Sequence, residues 1–136
     1  MDTSILVAAA RSRQGASFAL VSSIPAAQFQ VCLSVGLYFE WQAVLTRSEN
    51  VPPNRTPEDA LRFLRYLASQ SHLQEIHFLW RPFLPDADDD MILELAFAAG
   101  RRYIVTHNVK DFQGSEELGV TALTPGDFLR LVRSQS

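Results

Sequence analysis

The feature that most restricts the fold is an alternation. Short apolar or β-branched runs take turns with helix-patterned segments through the second half of the chain. The runs are "EIHFLW" (Glu75 to Trp80), "RYIVT" (Arg102 to Thr106) and "GVTAL" (Gly119 to Leu123), with "FQVCL" (Phe29 to Leu33) before them. Each has the length and residue types of a buried strand. The segments between them carry helix signals. "SVGLYFEWQAVLTR" opens on Ser34 as N-cap and puts Leu37, Trp41, Val44 and Leu45 on one face. "TPEDALRFLRYLASQ" opens on Thr56, with Pro57 at the first helical position, Asp59 three after the cap, and Leu61, Phe63, Leu64 and Leu67 on its apolar side. "DDDMILELAFAAG" ends at Gly100, a residue suited to the position past a helix C-terminus. "TPGDFLRLV" repeats the Thr-Pro start, with Asp127 in the third position. This order predicts an α/β fold: a three-layer α/β/α arrangement around a small, mostly parallel sheet. "SENVPPNR" (Ser48 to Arg55) reads as a loop inside one domain spanning residues 1–136, since neither side is long enough for its own core.

Composition narrows the function classes. The chain is 47% hydrophobic and 20% charged, as expected of a globular domain with a real core. No apolar run approaches the roughly 18–20 residues that span a bilayer. No basic stretch followed by an apolar one opens the chain, so no signal peptide is expected and a cytoplasmic setting is. A single cysteine, Cys32, excludes an internal disulfide and any multi-cysteine zinc site, and inside "FQVCL" it reads as a small core residue. A formal net charge of −3 argues against binding nucleic acid by bulk charge. Lys110 is the sole lysine, so the remaining cations are arginines, which suit forked phosphate contacts as well as structural ion pairs.

In parallel α/β sheets, ligands bind where strands lead into helices. Three aspartates fall at such junctions: Asp2, ahead of "TSILVAAARS"; Asp89, within "LPDADDDM"; and Asp111, after "YIVTHNVK". Glu40 lies about a turn and a half into the helix that follows "FQVCL". The run Asp86, Asp88, Asp89, Asp90 needs sorting. If Ile92, Leu93, Ala96 and Ala99 form the buried stripe, stepping back three from Ile92 or four from Leu93 reaches Asp89. Asp88 is next best placed, Asp90 leans to the side toward Phe97, and Asp86 precedes the helix. A plain alternative is that these charges favour the helix N-terminus, by about 0.3–1 kcal/mol each. The residues alone leave both readings open. Carboxylates converging from separate elements would suit a hard cation such as Mg²⁺ or Mn²⁺, without which they could not all stay ionised.

With these residues in view, the chain resembles the PIN-domain family, the metal-dependent ribonucleases that include VapC-like toxins. "MDTSILVAA" is similar to the family's opening acid motif, "LSVGLYFEWQAVLTR" to its second, and the helix running from Asp89 to "AAG" to its third. "THNVKDF" is similar to its fourth, and "LTPGDFL" to its closing segment. The resemblance implies a PIN-like fold with Asp2, Glu40, Asp89 and Asp111 as the catalytic and metal-binding acids of one groove. Mg²⁺ or Mn²⁺ would be the cofactor and RNA the substrate. A small antitoxin protein and a homodimer are the implied partners, in a type II toxin–antitoxin pair. Asn108 stands where some relatives carry a further Asp, and Ser4 where many carry Asn.

Ser4, Thr3, Thr106, Asn108 and Asp88 could support the metal acids or ligated waters from behind. For Thr3 and Asn108 individually, ordinary capping and turn chemistry is the favoured account. Arg11, Arg13, Arg101 and Arg102 are the phosphate-contact candidates, although a single arginine is more often a solvated charge or ion-pair partner. His107 could touch phosphate, although plain exposure is the favoured reading, and His72 and His77 read as surface or structural residues. Trp41, Trp80, Phe78 and Phe83 could stack bases, but their spacing favours packing. The leading expectation is a metal-dependent endoribonuclease. A catalytically weak PIN fold that binds RNA or protein is the alternative. An Asp-nucleophile phosphatase is disfavoured, because Ser4 occupies the position where a second acid is needed.

Overall fold

The computed structural model describes residues 1–76 and 84–134. Its helices are α1 (Thr3–Arg11), α2 (Ala16–Ser22), α3 (Val35–Leu45), α4 (Pro57–Ser69), α5 (Ala87–Ala98) and α6 (Pro125–Ser134). Its strands are β1 (Cys32–Leu33), β2 (His72–Leu73), β3 (Tyr103–Val105) and β4 (Thr121–Leu123). Among the described residues β1 pairs with β2 and β3 with β4, both in parallel, as two two-stranded sheets. The expected α/β class with parallel strands is what the chain adopts; helices dominate it, and among the described residues the strands form two short sheets where one small sheet was expected.

The elements form for local reasons. Ser34 caps α3 by accepting from the Leu37 amide at 3.2 Å. Thr56 and Asp59 close a reciprocal capping box on α4, with Pro57 at the first helical position. α5 ends before Gly100, whose φ of +66° suits a residue without Cβ.

Several expectations shift. The strand expected at Glu75 to Trp80 is not one at Glu75 and Ile76, and Phe78 and Trp80 lie outside the described residues, as do His77 and Phe83. The strand that pairs with β1 comes earlier, at His72–Leu73, because the backbone amides of His72 and Gln74 reach the Val31 and Leu33 carbonyls at 2.8 and 2.9 Å. The run "FQVCL" contributes only Cys32 and Leu33 to the pairing. On α4, Leu64 and Leu67 enter the core, but Phe63 turns out to solvent. α2 carries no sequence signal strong enough to announce it: its N-cap is Gly15, with no side-chain capping bond.

The main core joins α1, α3, α4 and α5 to both sheets through Leu6, Leu33, Leu37, Trp41, Leu64, Leu67, Leu93 and Ile104. A second cluster of Ile5, Leu20, Val105 and Phe128 fixes α2 and α6 to β3. The Phe29 and Tyr103 rings meet Phe128 edge-on there, with centroids 5.2 and 6.1 Å away. Between β1 and β3 lies a cavity of about 180 Å³ lined by Met1, Val31, Cys32, Ala96, Tyr103 and Ile104, among others. The backbone just past Met1 is tied across to β3, since the Asp2 amide donates to the Val105 carbonyl at 2.8 Å. No helix among the described residues is long and apolar enough to cross a membrane.

Candidate active site

Asp2 sits at the N-cap position of α1 and is buried, yet its side chain does not cap that helix. Its Oδ2 instead accepts from Thr106 Oγ1 at 2.6 Å and from Ser4 Oγ at 3.0 Å. Thr106 is fully buried directly after β3, and its hydroxyl also receives the Asn108 amide at 3.0 Å. One hydroxyl thus links a carboxylate to the turn that carries Asp111. Thr3, in the first turn of α1, donates to Glu40 Oε2 on α3 at 2.5 Å. The Asp-Thr-Ser segment therefore ties the first two acids to one helix start.

The two remaining acids arrive from other directions. Asp89 lies in the first turn of α5 and is half-buried. Asp111 sits in a short 3₁₀ turn, Val109–Phe112, anchored by buried Phe112. Asp111 is exposed, and its amide donates to the Asn108 carbonyl at 2.9 Å.

The charges of these groups act on one another. Burial pushes the Asp89 carboxyl up to about 6, helped by repulsion from Asp86, Asp2, Asp111 and Asp88. Burial also raises Glu40; the Thr3 hydrogen bond opposes the shift, while Asp88 and Asp2 add to it. Asp2, Glu40, Asp88, Asp89 and Asp111 thus share one field, contributed by α1, α3, α5 and the turn after β3. Asp88, read from sequence as second to Asp89, is the α5 acid that acts on Glu40.

The other two aspartates of "LPDADDDM" have structural places. Asp86 is the N-cap of α5 and accepts from the Asp88 amide at 2.8 Å. Asp90, expected at the side of the helix, is instead buried and accepts from the Leu84 amide at 2.8 Å. The reason is that α5 buries a wider arc than one stripe: Ile92, Leu93, Leu95 and Ala96 are all interior, and so is Glu94. Asp90 and Glu94 stand four apart on that arc, and a narrow-stripe wheel does not find them.

The arginine candidates do not gather at the acids. Arg101 and Arg102 precede β3, whereas Thr106 follows it, about 13 Å along an extended strand. The Arg101 Nε–H donates to Cys32 Sγ at 2.8 Å, on the cavity side. Arg11 reaches Asn50 Oδ1 at 3.2 Å, and Arg13 is exposed in the turn after α1. The loop after β3 brings His107 instead: its ring Nε2 lies 2.6 Å from Ser17 Oγ on α2. Nothing in the sequence pairs those two residues, which are 90 positions apart.

Oxygen-only donors that repel one another have the chemistry a hard divalent cation would satisfy. As they stand, no three acidic, histidine or cysteine side chains among the described residues come close enough to ligate one ion together. The donor chemistry therefore fits such an ion, while the spacing is more open than a closed coordination shell.

Residues 1–110 match the family model described as PIN domain, and the chain belongs to that family. PIN domains are typically nucleases acting on RNA or DNA, generally with divalent metals. No curated protein and no solved structure matches the chain.

Proposed function

We propose that this protein is a metal-dependent endoribonuclease whose site is built from Asp2, Glu40, Asp89 and Asp111. The observation that carries the reading is the mutual repulsion of carboxylates brought from α1, α3, α5 and the turn after β3. Keeping these anions together in a half-buried place is unfavourable, and a counter-cation offsets it. Asp2, Asp89 and Asp111 would hold Mg²⁺ or Mn²⁺, with Glu40 and Asp88 at the edge of the same field. The bound cation would polarise the phosphodiester and make water a better nucleophile. The chain's own part is positional. Thr106 and Ser4 fix the Asp2 carboxylate, Thr3 fixes Glu40, and Asn108 joins the Asp111 turn to Thr106.

The test is cleavage of labelled single-stranded RNA with Mg²⁺ or Mn²⁺ by the wild type and by Asp89→Asn. Cation-dependent cutting that falls by at least about a hundredfold in the variant is expected, in line with losses seen when a central electrostatic group is removed. Cutting unchanged by the substitution overturns the assignment.

The second reading is an RNA- or protein-binding module with weak catalysis. The open spacing of the acids favours it. RNA binding without cleavage under either metal would establish it.

A toxin role with a small antitoxin and a homodimer extends the first reading. The exposed side chains Val35 and Phe39 on α3, and Phe63 and Tyr66 on α4, supply apolar surface for such contacts. Growth arrest on expression, relieved by the product of a small adjacent reading frame, supports the toxin role. Unimpaired growth of cells expressing active enzyme counts against it.

A further inference from the structure

A polyanionic strand approaching a cluster of carboxylates is repelled unless donors at the rim hold it. Three of the four arginine candidates are poorly placed for this: Arg101 and Arg102 lie beyond the far end of β3, and Arg11 is engaged by Asn50, while Arg13 is exposed in the turn after α1. His107 is well placed. It directly follows Thr106, whose hydroxyl holds Asp2, and its own amide donates to Ser4 Oγ, which also holds Asp2. Its backbone is therefore two hydrogen bonds from Asp2, the most buried of the four candidate acids.

The ring is also fixed. An exposed loop histidine would ordinarily sample several rotamers, and ordering it on binding weakens a contact. Here Nε2 is engaged at 2.6 Å by Ser17 Oγ, from a residue only 3% exposed on α2. That helix is held in turn by the Leu20 and Phe128 cluster. No hydrogen bond to another described residue occupies Nδ1, and the residue is exposed. A neutral ring that accepts from Ser17 carries its proton on Nδ1, and a cationic ring donates from both nitrogens. Both of these forms present an N–H to solvent from a fixed ring; the remaining tautomer, which donates from Nε2 to Ser17, presents an acceptor instead.

We propose that His107 contacts the nucleic-acid substrate, donating to a phosphate oxygen next to the cleaved bond, and that buried Ser17 is the residue that positions it. The inference rests on the nuclease reading above and adds a substrate contact, with its support, to that site.

The experiment uses a fluorescein-labelled single-stranded RNA. Binding is measured by anisotropy in EDTA, and cleavage with Mn²⁺, for the wild type, His107→Ala, Ser17→Ala and the double variant. Folding is checked by melting curves. His107→Ala should raise Kd and KM about tenfold, the size of one hydrogen bond to a charged group, with kcat within about twofold. Ser17→Ala should raise both about threefold, and should add nothing in the His107→Ala background, since it acts only through that ring. A His107→Ala protein with wild-type Kd and KM overturns the contact. Additive effects of the two substitutions overturn the positioning by Ser17, whatever Ser17→Ala does to the melting temperature. A wild type that neither binds nor cuts RNA fails the nuclease reading itself, and this inference falls with it.

Discussion

Asp89 is the residue at which burial and charge meet. Its carboxyl titrates near 6, above the usual value near 4, because burial and neighbouring aspartates disfavour the anion. The native state of metal-free protein therefore holds a proton there that the unfolded chain has released. Its contribution to stability is complete below about pH 4 and is lost as pH rises through about 6. Glu40, raised as well, works in the same sense. Comparing wild type with Asp89→Asn isolates the effect. The wild type's melting temperature relative to the variant's should fall between about pH 4 and pH 6 and level off above. A difference that is flat or rises with pH would contradict it.

At the scale of elements, α5 separates two kinds of aspartate within a few residues. Asp89 faces the other acids, while Asp90 turns inward and holds the Leu84 amide. Removing the Asp90 carboxylate leaves that amide without its acceptor, at a cost of about 1–3 kcal/mol. Asp90→Ala should melt about 4–10 °C lower than wild type, at the scale typical of a domain this size. Asp89→Asn should melt close to wild type or above it at neutral pH, because it removes a repelled charge. Equal melting temperatures for Asp90→Ala and wild type would show that the Leu84 contact stabilises nothing. This is how the aspartate run resolves: Asp86 caps, Asp90 anchors, and Asp88 and Asp89 share the field of the other acids.

Across the whole molecule, the acids are brought together only when α1, α3, α5 and the turn after β3 are all in place. A cation bound there, as the proposed function requires, would stabilise the folded chain alone, because the unfolded chain offers no such gathering. Millimolar Mg²⁺ or Mn²⁺ should therefore raise the melting temperature in proportion to the logarithm of concentration above Kd. The shift should shrink in Asp89→Asn. A melting temperature that does not respond across a wide titration argues for the binding-module reading.

Much of this was legible in one dimension. Capping residues such as Ser34 and the Thr56-Asp59 box act within a few positions, so they announce α3 and α4 directly. Spacing singled out the segments whose acids the fold brings into one field, from Asp2 to Asp111, because strand-to-helix junctions are local events too. Strand pairing was less legible: β1 pairs with His72 and Leu73, which carry no strand pattern of their own, a choice made by distant backbone groups. The inward turn of Asp90, the pairing of Ser17 with His107, and the placement of Arg101 against Cys32 were invisible for the same reason. The sequence alone determines which residue types recur and at what spacing, because helix and strand periods are properties of the backbone. Which side chains face one another is decided by packing between elements far apart in the chain, and only the tertiary structure supplies that.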